Sequence, residues 1–310
     1  MPLTQTAIVT GAGQGLGAAL ARKLASRGIN VLVADLNETT GPQVAQELKG
    51  QFGVDAFFVR TDVSNEDDVK AMVKAAVDRW GRLDYACNNA AIGEVITFTE
   101  KDYSVQNFDR MYSVLPRAAW LCQKYECEQM LKQPPRQVQL GPSSKTVPSR
   151  GSVVNIASVA GLVGMGQPGY AAAKAAVQSV TRTGSQFYGS SHIRINTVSP
   201  GAIMSDGFHK WLPTLEVRAK EFVENNIISG PPAKRMGQPE ELAATVSWLL
   251  SDESTFMHAS NVICDGGYYN TRYAAEPAPE GNLPLDSQTF SGFNEEQMAL
   301  ASIVASDIVR

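Results

Sequence analysis

A chain of 310 residues, 44% of them hydrophobic, can bury a full core as one large α/β domain or two smaller ones. Its formal net charge of −4 gives no reason to expect nucleic acid or an anionic membrane surface as a partner. No apolar run reaches the roughly 18 residues of a membrane span, and the first strand starts too near Met1 to leave room for a signal peptide, so a cytoplasmic protein is expected.

Thr6-Ala7-Ile8-Val9-Thr10 is a short apolar, β-branched run that reads as a buried strand. It breaks at Gly11, and Ala18 to Ala25 follows with strong helix formers and helical spacing of Leu20 and Leu24. Between them lies Thr10-Gly11-Ala12-Gly13-Gln14-Gly15-Leu16-Gly17. A strand, a glycine turn and a helix make a site where a pyrophosphate meets free backbone N–H groups at a positive helix end. Side chains there would block both the turn and the approach of the phosphates.

The second strand, Asn30-Val31-Leu32-Val33-Ala34-Asp35, ends in an acid 18 residues past Gly17. That is near the separation of about 20 found in dinucleotide-binding units. A carboxylate there accepts hydrogen bonds from both ribose hydroxyls of NAD and repels the extra phosphate of NADP. Neither the glycine turn nor Leu36-Asn37 adds a cation, so NAD(H) is the expected cofactor. The competing reading is that Asp35 caps the next helix.

Further along, Ala56 to Arg60 is a third strand, and Val153-Val154-Asn155-Ile156-Ala157-Ser158 ends in a serine 12 residues before Tyr170. Tyr170 and Lys174 are four apart, one turn from each other on one helix face. An ammonium beside a phenol favours the phenolate, and a tyrosine tuned this way can exchange a proton with an alcohol or carbonyl oxygen. Standing alone, the pair reads equally as a buried Tyr and a solvated Lys.

Strand-like and helix-like segments alternate without a linker to about residue 270. The expected fold is α/β, a single Rossmann-type doubly wound parallel sheet with helices on both faces, over residues 1–273. A polar, Pro-rich insertion at 132–150, which includes Gln133-Pro134-Pro135-Arg136, enters at the start of the serine strand. It is expected to be a mobile loop on the side away from ligands, which bind at the carboxyl ends of strands. Residues 274–310 read as a C-terminal extension: a linker at Glu276 to Gly281, then either a short helix packing on a surface or a disordered end. Cys87, Cys122, Cys127 and Cys264 form no C-x-x-C pair, and histidines number only three, so no metal site is expected and the thiols read as reduced core residues.

These segments together resemble the short-chain dehydrogenase/reductase family from about Thr6 to about Tyr269. The family's T-G-x-x-x-G-x-G pattern is met by Thr10, Gly11, Gly15 and Gly17, its adenine-pocket acid by Asp62-Val63, and its N-N-A-G segment by Asn88-Asn89-Ala90-Ala91. Its P-G turn appears as Ser199-Pro200-Gly201 and its closing D-G-G as Asp265-Gly266-Gly267. The resemblance implies that Tyr170 is the general acid/base. Lys174 would bind the nicotinamide ribose and lower the tyrosine pKa, and Ser158 would hydrogen-bond the substrate oxygen. It also implies cofactor contacts from Gly11, Gln14, Gly15, Leu16, Gly17, Asp35, Leu36, Asp62, Val63, Asn89, Ala90, Ala91, Pro200, Gly201 and Ile203, besides Tyr170 and Lys174.

One position departs from the pattern. Leu115 stands where the family commonly has a catalytic asparagine that kinks its helix and holds a water linked to the lysine. Leucine has no donor or acceptor, whereas Pro116 removes a backbone N–H and can preserve the kink. The readings are a tolerated or engineered change in a slower dehydrogenase, or a different reaction on the same fold. The segment after the P-G turn, with Ile203, Met204, Phe208, Trp211, Leu212 and Phe222, suggests an apolar pocket. The leading expectation is thus an NAD(H)-dependent enzyme for a hydrophobic, cyclic secondary alcohol and its ketone. A non-redox cyclase, isomerase or dehydratase, or a module that holds NAD without turnover, stays open beside it. A homodimer or homotetramer is implied by resemblance only.

Overall fold

The computed structural model describes residues 4–93, 103–142, 145–163, 167–205, 208, 212–214 and 217–270. Seven strands form one parallel sheet: β1 (Thr6–Thr10), β2 (Asn30–Asp35), β3 (Ala56–Arg60), β4 (Tyr85–Asn88), β7 (Gly151–Ile156), β8 (Ile193–Pro200) and β9 (Asn261–Cys264), in the order β3-β2-β1-β4-β7-β8-β9. The helices are α1 (Gly15–Ala25), α2 (Thr40–Phe52), α3 (Glu66–Trp80), α4 (Val105–Val114), α5 (Pro116–Lys132), α6 (Pro168–Tyr188), α7 (Val217–Phe222) and α8 (Pro239–Leu250).

Both faces of the sheet are covered, which is why its strands are continuous apolar runs rather than alternating ones. Ala7 and Val9 of β1 enter a cluster with Leu20 and Leu24 of α1 and Leu242, Val246 and Leu249 of α8. Ile8 points the other way, into a cluster with Met72 of α3, Leu121 and Met130 of α5 and Ile195 of β8. Each large side chain fully buried in this way contributes about 1.5–3 kcal/mol.

The chain runs outward through β1, β2 and β3, then returns to place β4 on the other side of β1. Registers such as Thr10↔Ala34 and Val9↔Cys87 align the carboxyl ends of these strands. A crevice opens where the strand order reverses, and a ligand of an open α/β sheet binds there.

One expectation is corrected. The 132–150 insertion contains an antiparallel hairpin, β5 (Arg136–Gln139) and β6 (Thr146–Ser149), with Val138 opposite Val147. The period-two pattern Arg-Gln-Val-Gln, with Val138 buried, was hidden by its polar composition, and Gly141 takes the positive φ of 60° that the connecting turn needs. Arg136 ties the hairpin down, reaching Asp84 at 3.2 Å and Asp252 at 2.9 Å. The insertion does precede β7, at the end of the sheet away from the crevice. The kink at Pro116 is a break between helices: Leu115 ends α4 with φ −101° and ψ −79°, and Pro116 opens α5. Trp211, the side chain of Phe222 and the 274–310 extension lie outside the described residues.

Candidate active site and cofactor cleft

The glycine turn is shaped by what a side chain would strike. A Cβ on Gly17 would lie 2.0 Å from Gly11 O, and one on Gly11, whose φ is +64°, would lie 2.9 Å from Ala90 Cα. Asn89 holds the turn from the neighbouring strand, with Nδ2 donating to Thr10 O at 3.0 Å and its backbone N–H to Thr10 Oγ1 at 3.0 Å. Gln14 precedes α1 in extended backbone and makes no side-chain cap, so the first N–H groups of that helix keep their positive end for an anion.

A cleft of about 630 Å³ lies over this turn. It gathers Gly11, Gln14, Gly15, Leu16, Gly17, Asp35, Leu36, Asp62, Val63, Asn89, Ala90 and Ala91, twelve of the residues expected to touch a cofactor. Thr61, Ser64, Ile92, Arg110, Ser113, Val114 and Ser205 line it too. Sequence reasoning missed these because they flank motifs or come from helices without a recognisable signature. Asp62 accepts from Ser64 Oγ at 2.6 Å, and that bond, the largest influence, holds its carboxyl below the usual range. The steric cradle, the open helix end and the cleft's volume fit a dinucleotide.

The remaining expected residues sit apart from that cleft. Pro200 ends β8, and Gly201 donates to Cys264 O at 3.0 Å. A Cβ on Gly201 would come within 2.8 Å of Asp265 Cα, so close approach accounts for the glycine. Ile203 pairs with Gly237 in an isolated parallel bridge and lines a separate pocket of about 80 Å³ with Asp265.

Ser158, Tyr170 and Lys174 come together at the carboxyl end of β7. Ser158 follows that strand and caps a 3-10 turn, Val159–Gly161, accepting from Ala160 N at 3.1 Å. Its side chain is also hydrogen-bonded to Tyr170, which sits in the first turn of α6. Lys174, one turn on and only 3% exposed, donates to Ile156 O at 2.8 Å. Its Nζ is 5.7 Å from the centroid of the Tyr170 ring.

The electrostatics correct one expectation. Burial raises the Tyr170 pKa, opposed by the bond to Ser158, so lysine does not dominate the phenol here. Burial also lowers Lys174 to about 8, because its ammonium has lost water and its described hydrogen bond goes to a neutral carbonyl rather than a carboxylate. Leu115 is 3% exposed and packs with Met111, Ala119, Ala157, Ala173 and Val177, with Tyr170 against the same cluster. Packing alone is enough to account for an apolar side chain there. No helix among the described residues is long and apolar enough to cross a membrane.

Residues 11–269 match a family model described as enoyl-(acyl carrier protein) reductase. The chain is 35% identical over 268 residues to 2,5-dichloro-2,5-cyclohexadiene-1,4-diol dehydrogenase of Sphingobium indicum, a match covering 85% of this chain and 96% of that protein. It is 33% identical over 265 residues to cyclohexanol dehydrogenase of an Acinetobacter species, covering 85% and 94%. The crystal structure of levodione reductase superimposes with a TM-score of 0.76 at 32% identity, covering 86% of this chain and 97% of that one. The chain belongs to the short-chain dehydrogenase/reductase family. It is an oxidoreductase of CH–OH groups that works with a nicotinamide cofactor, NAD or NADP.

Proposed function

We propose that this protein is an NAD(H)-dependent dehydrogenase/reductase that interconverts a hydrophobic, cyclic secondary alcohol and its ketone. The observation that carries this reading is the Ser158–Tyr170–Lys174 cluster at the end of β7, beside a glycine-turn cleft that also contains Asp35. The relatives named above act, by their names, on cyclic alcohols or ketones. That likeness supports a cyclic substrate here.

When bound, a nicotinamide cofactor would supply the hydride acceptor or donor for the substrate carbon. Its pyrophosphate would rest on the glycine turn and the start of α1, its adenosine ribose against Asp35, and its adenine near Asp62 and Val63. In oxidation, Tyr170 is the base that takes the hydroxyl proton while Ser158 donates a hydrogen bond to the same oxygen. In reduction, Tyr170 returns the proton to the oxygen as negative charge develops there. Lys174 would offer its ammonium protons to the nicotinamide ribose and so hold the cofactor beside Tyr170.

Arg110 lines the cleft, but the carboxylate of Asp35 at the end of β2 favours NAD over its phosphorylated analogue. Phe108, Tyr112 and Trp120 on α4 and α5 and Phe187 on α6 are exposed, which supports a dimer or tetramer through these helices. The reading is tested by following reduced-nicotinamide absorbance with NAD and NADP against a panel of cyclic secondary alcohols. Turnover with NAD is expected. Product formed without any cofactor change would overturn the redox assignment.

A further inference from the structure

A buried polar chain that the proposed reaction does not use runs up to a cavity lined by Lys174. Asn88, at the end of β4 and 7% exposed, donates through Nδ2 to Glu126 Oε2 at 3.0 Å and to Asn155 Oδ1 at 2.9 Å. Asn155 in turn donates to Gln123 Oε1 and to Thr181 Oγ1, both at 2.9 Å. Glu126 is fully buried on α5. Burial, opposed by the bond from Asn88, holds its carboxyl up at about 8, so it is mostly the neutral acid at neutral pH.

Two atoms of this chain lack a hydrogen-bond partner among the described residues: Asn88 Oδ1 and Glu126 Oε1. Leaving a buried polar atom unsatisfied costs about 1–3 kcal/mol, so both call for an explanation. Asn88 lines a cavity of about 10 Å³ together with Lys174, Thr10, Ile156 and Leu115. That is room for about one water. The Lys174 ammonium has three donors, one of them given to Ile156 O.

A protonated carboxyl must donate, and this is possible if the Asn88 amide turns over so that its oxygen accepts from Glu126. Asn155 and Gln123 can then turn in step, Gln123 giving up its bond to Val180 O at 3.4 Å, and the Thr181 hydroxyl turns from Val177 O to donate to Asn155. The end of Asn88 that faces the cavity is an oxygen in one arrangement and an NH₂ in the other. An oxygen there favours a water that accepts from an ammonium, and an NH₂ favours one that donates to a neutral amine.

We propose that Glu126 and Asn88 are positioning residues for Lys174: the protonation state of Glu126 fixes which end of the Asn88 amide faces the cavity, and one water bound there transmits that setting to the lysine. The proposal rests on the reading of Lys174 as a site residue. The titratable groups that face Glu126 are Cys87 from β4 and Cys122 and Cys127 from α5, all held protonated by burial; Lys174 from α6 lines the cavity beside Asn88.

The test uses the infrared carbonyl band of a protonated carboxylic acid, followed by pH titration of the wild-type protein, Glu126→Gln and Lys174→Met. The wild type should show a band that titrates out above neutral pH, and Glu126→Gln should lack it. Lys174→Met should move its midpoint upward by about half a pH unit or more, because the coupling through Asn88 and the water is reciprocal and the ammonium that favours the carboxylate-side setting is gone. A missing band, or a midpoint unmoved by Lys174→Met, would overturn the proposal. In turnover, Glu126→Gln should shift the pH profile of kcat by a similar amount while leaving KM for the cofactor within about twofold. A kcat profile superimposable on the wild type would also overturn it. The infrared arm needs no substrate, so failure of the dehydrogenase reading is distinguishable from failure of this one.

Discussion

Asp35 Oδ2 accepts the backbone N–H of Gly13 at 2.8 Å, so the last residue of β2 grips the glycine turn that follows β1. Its other oxygen accepts from Asn37 N at 2.9 Å. The carboxylate therefore fixes the turn and lines the cleft at once. Replacing it with serine should lower kcat/KM for NAD by about 10–100-fold, the loss of a charged hydrogen bond of roughly 1.5–3 kcal/mol. The ratio of NADP to NAD activity should rise in the same kinetics. An unchanged ratio would leave Asp35 with the structural role only.

Leu115→Asn places an amide in the apolar cluster around Met111, Ala173 and Val177, at the wall of the Lys174 cavity. Thermal unfolding should show the fold retained at a cost of about 1–3 kcal/mol. Turnover should rise, since an amide can bond a water that leucine cannot. A lower kcat in the folded variant would mean that leucine suits this protein's own reaction.

Arg136 joins the hairpin to Asp84, which is fully buried, and to Asp252. Arg136→Ala should destabilise the protein by about 1–3 kcal/mol, because it removes charged hydrogen bonds to Asp84 and Asp252 while Arg82 still pairs with Asp84 at 2.7 Å. Denaturant unfolding measures that loss. The hairpin lies at the end of the sheet away from the cleft, so kcat at room temperature should stay within about twofold of the wild type.

Glu126 and Lys174 give stability an unusual pH dependence. The Glu126 pKa is raised to about 8 in the folded protein from an ordinary value of 4.5, so the folded state binds more protons between those values. Its contribution is fully present below about 4.5 and is lost as pH rises toward about 8. Lys174 is lowered to about 8 from 10.5, so the unfolded state binds more protons between those values and stability recovers as pH rises through that window. Melting temperature measured across pH should fall toward about 8. In Glu126→Gln the fall should flatten, and a slope equal to the wild type's would remove Glu126 as its source.

Much of the site could be read from the sequence because its parts are local. Gly11 to Gly17 carry their own turn and helix start within seven residues, and Tyr170 with Lys174 carry theirs within one helical turn. The β5–β6 hairpin escaped because prolines and glutamines masked a period-two pattern anchored by one arginine reaching residues 52 and 116 positions away. Glu126 escaped for a similar reason. A glutamate on a helix reads as solvated, and its burial depends on Asn88 and Asn155 from two other elements. The direction of the Tyr170 shift was likewise not local, since spacing shows that a lysine is near but not how dry the site is.

The most direct test of the account is to compare wild type and Tyr170→Phe by nicotinamide absorbance with a cyclic secondary alcohol, alongside NAD binding by calorimetry. The account expects turnover in the variant to fall by at least about 10²–10⁴-fold, the contribution of a positioned acid/base, with NAD affinity nearly unchanged. Full activity in Tyr170→Phe would contradict it.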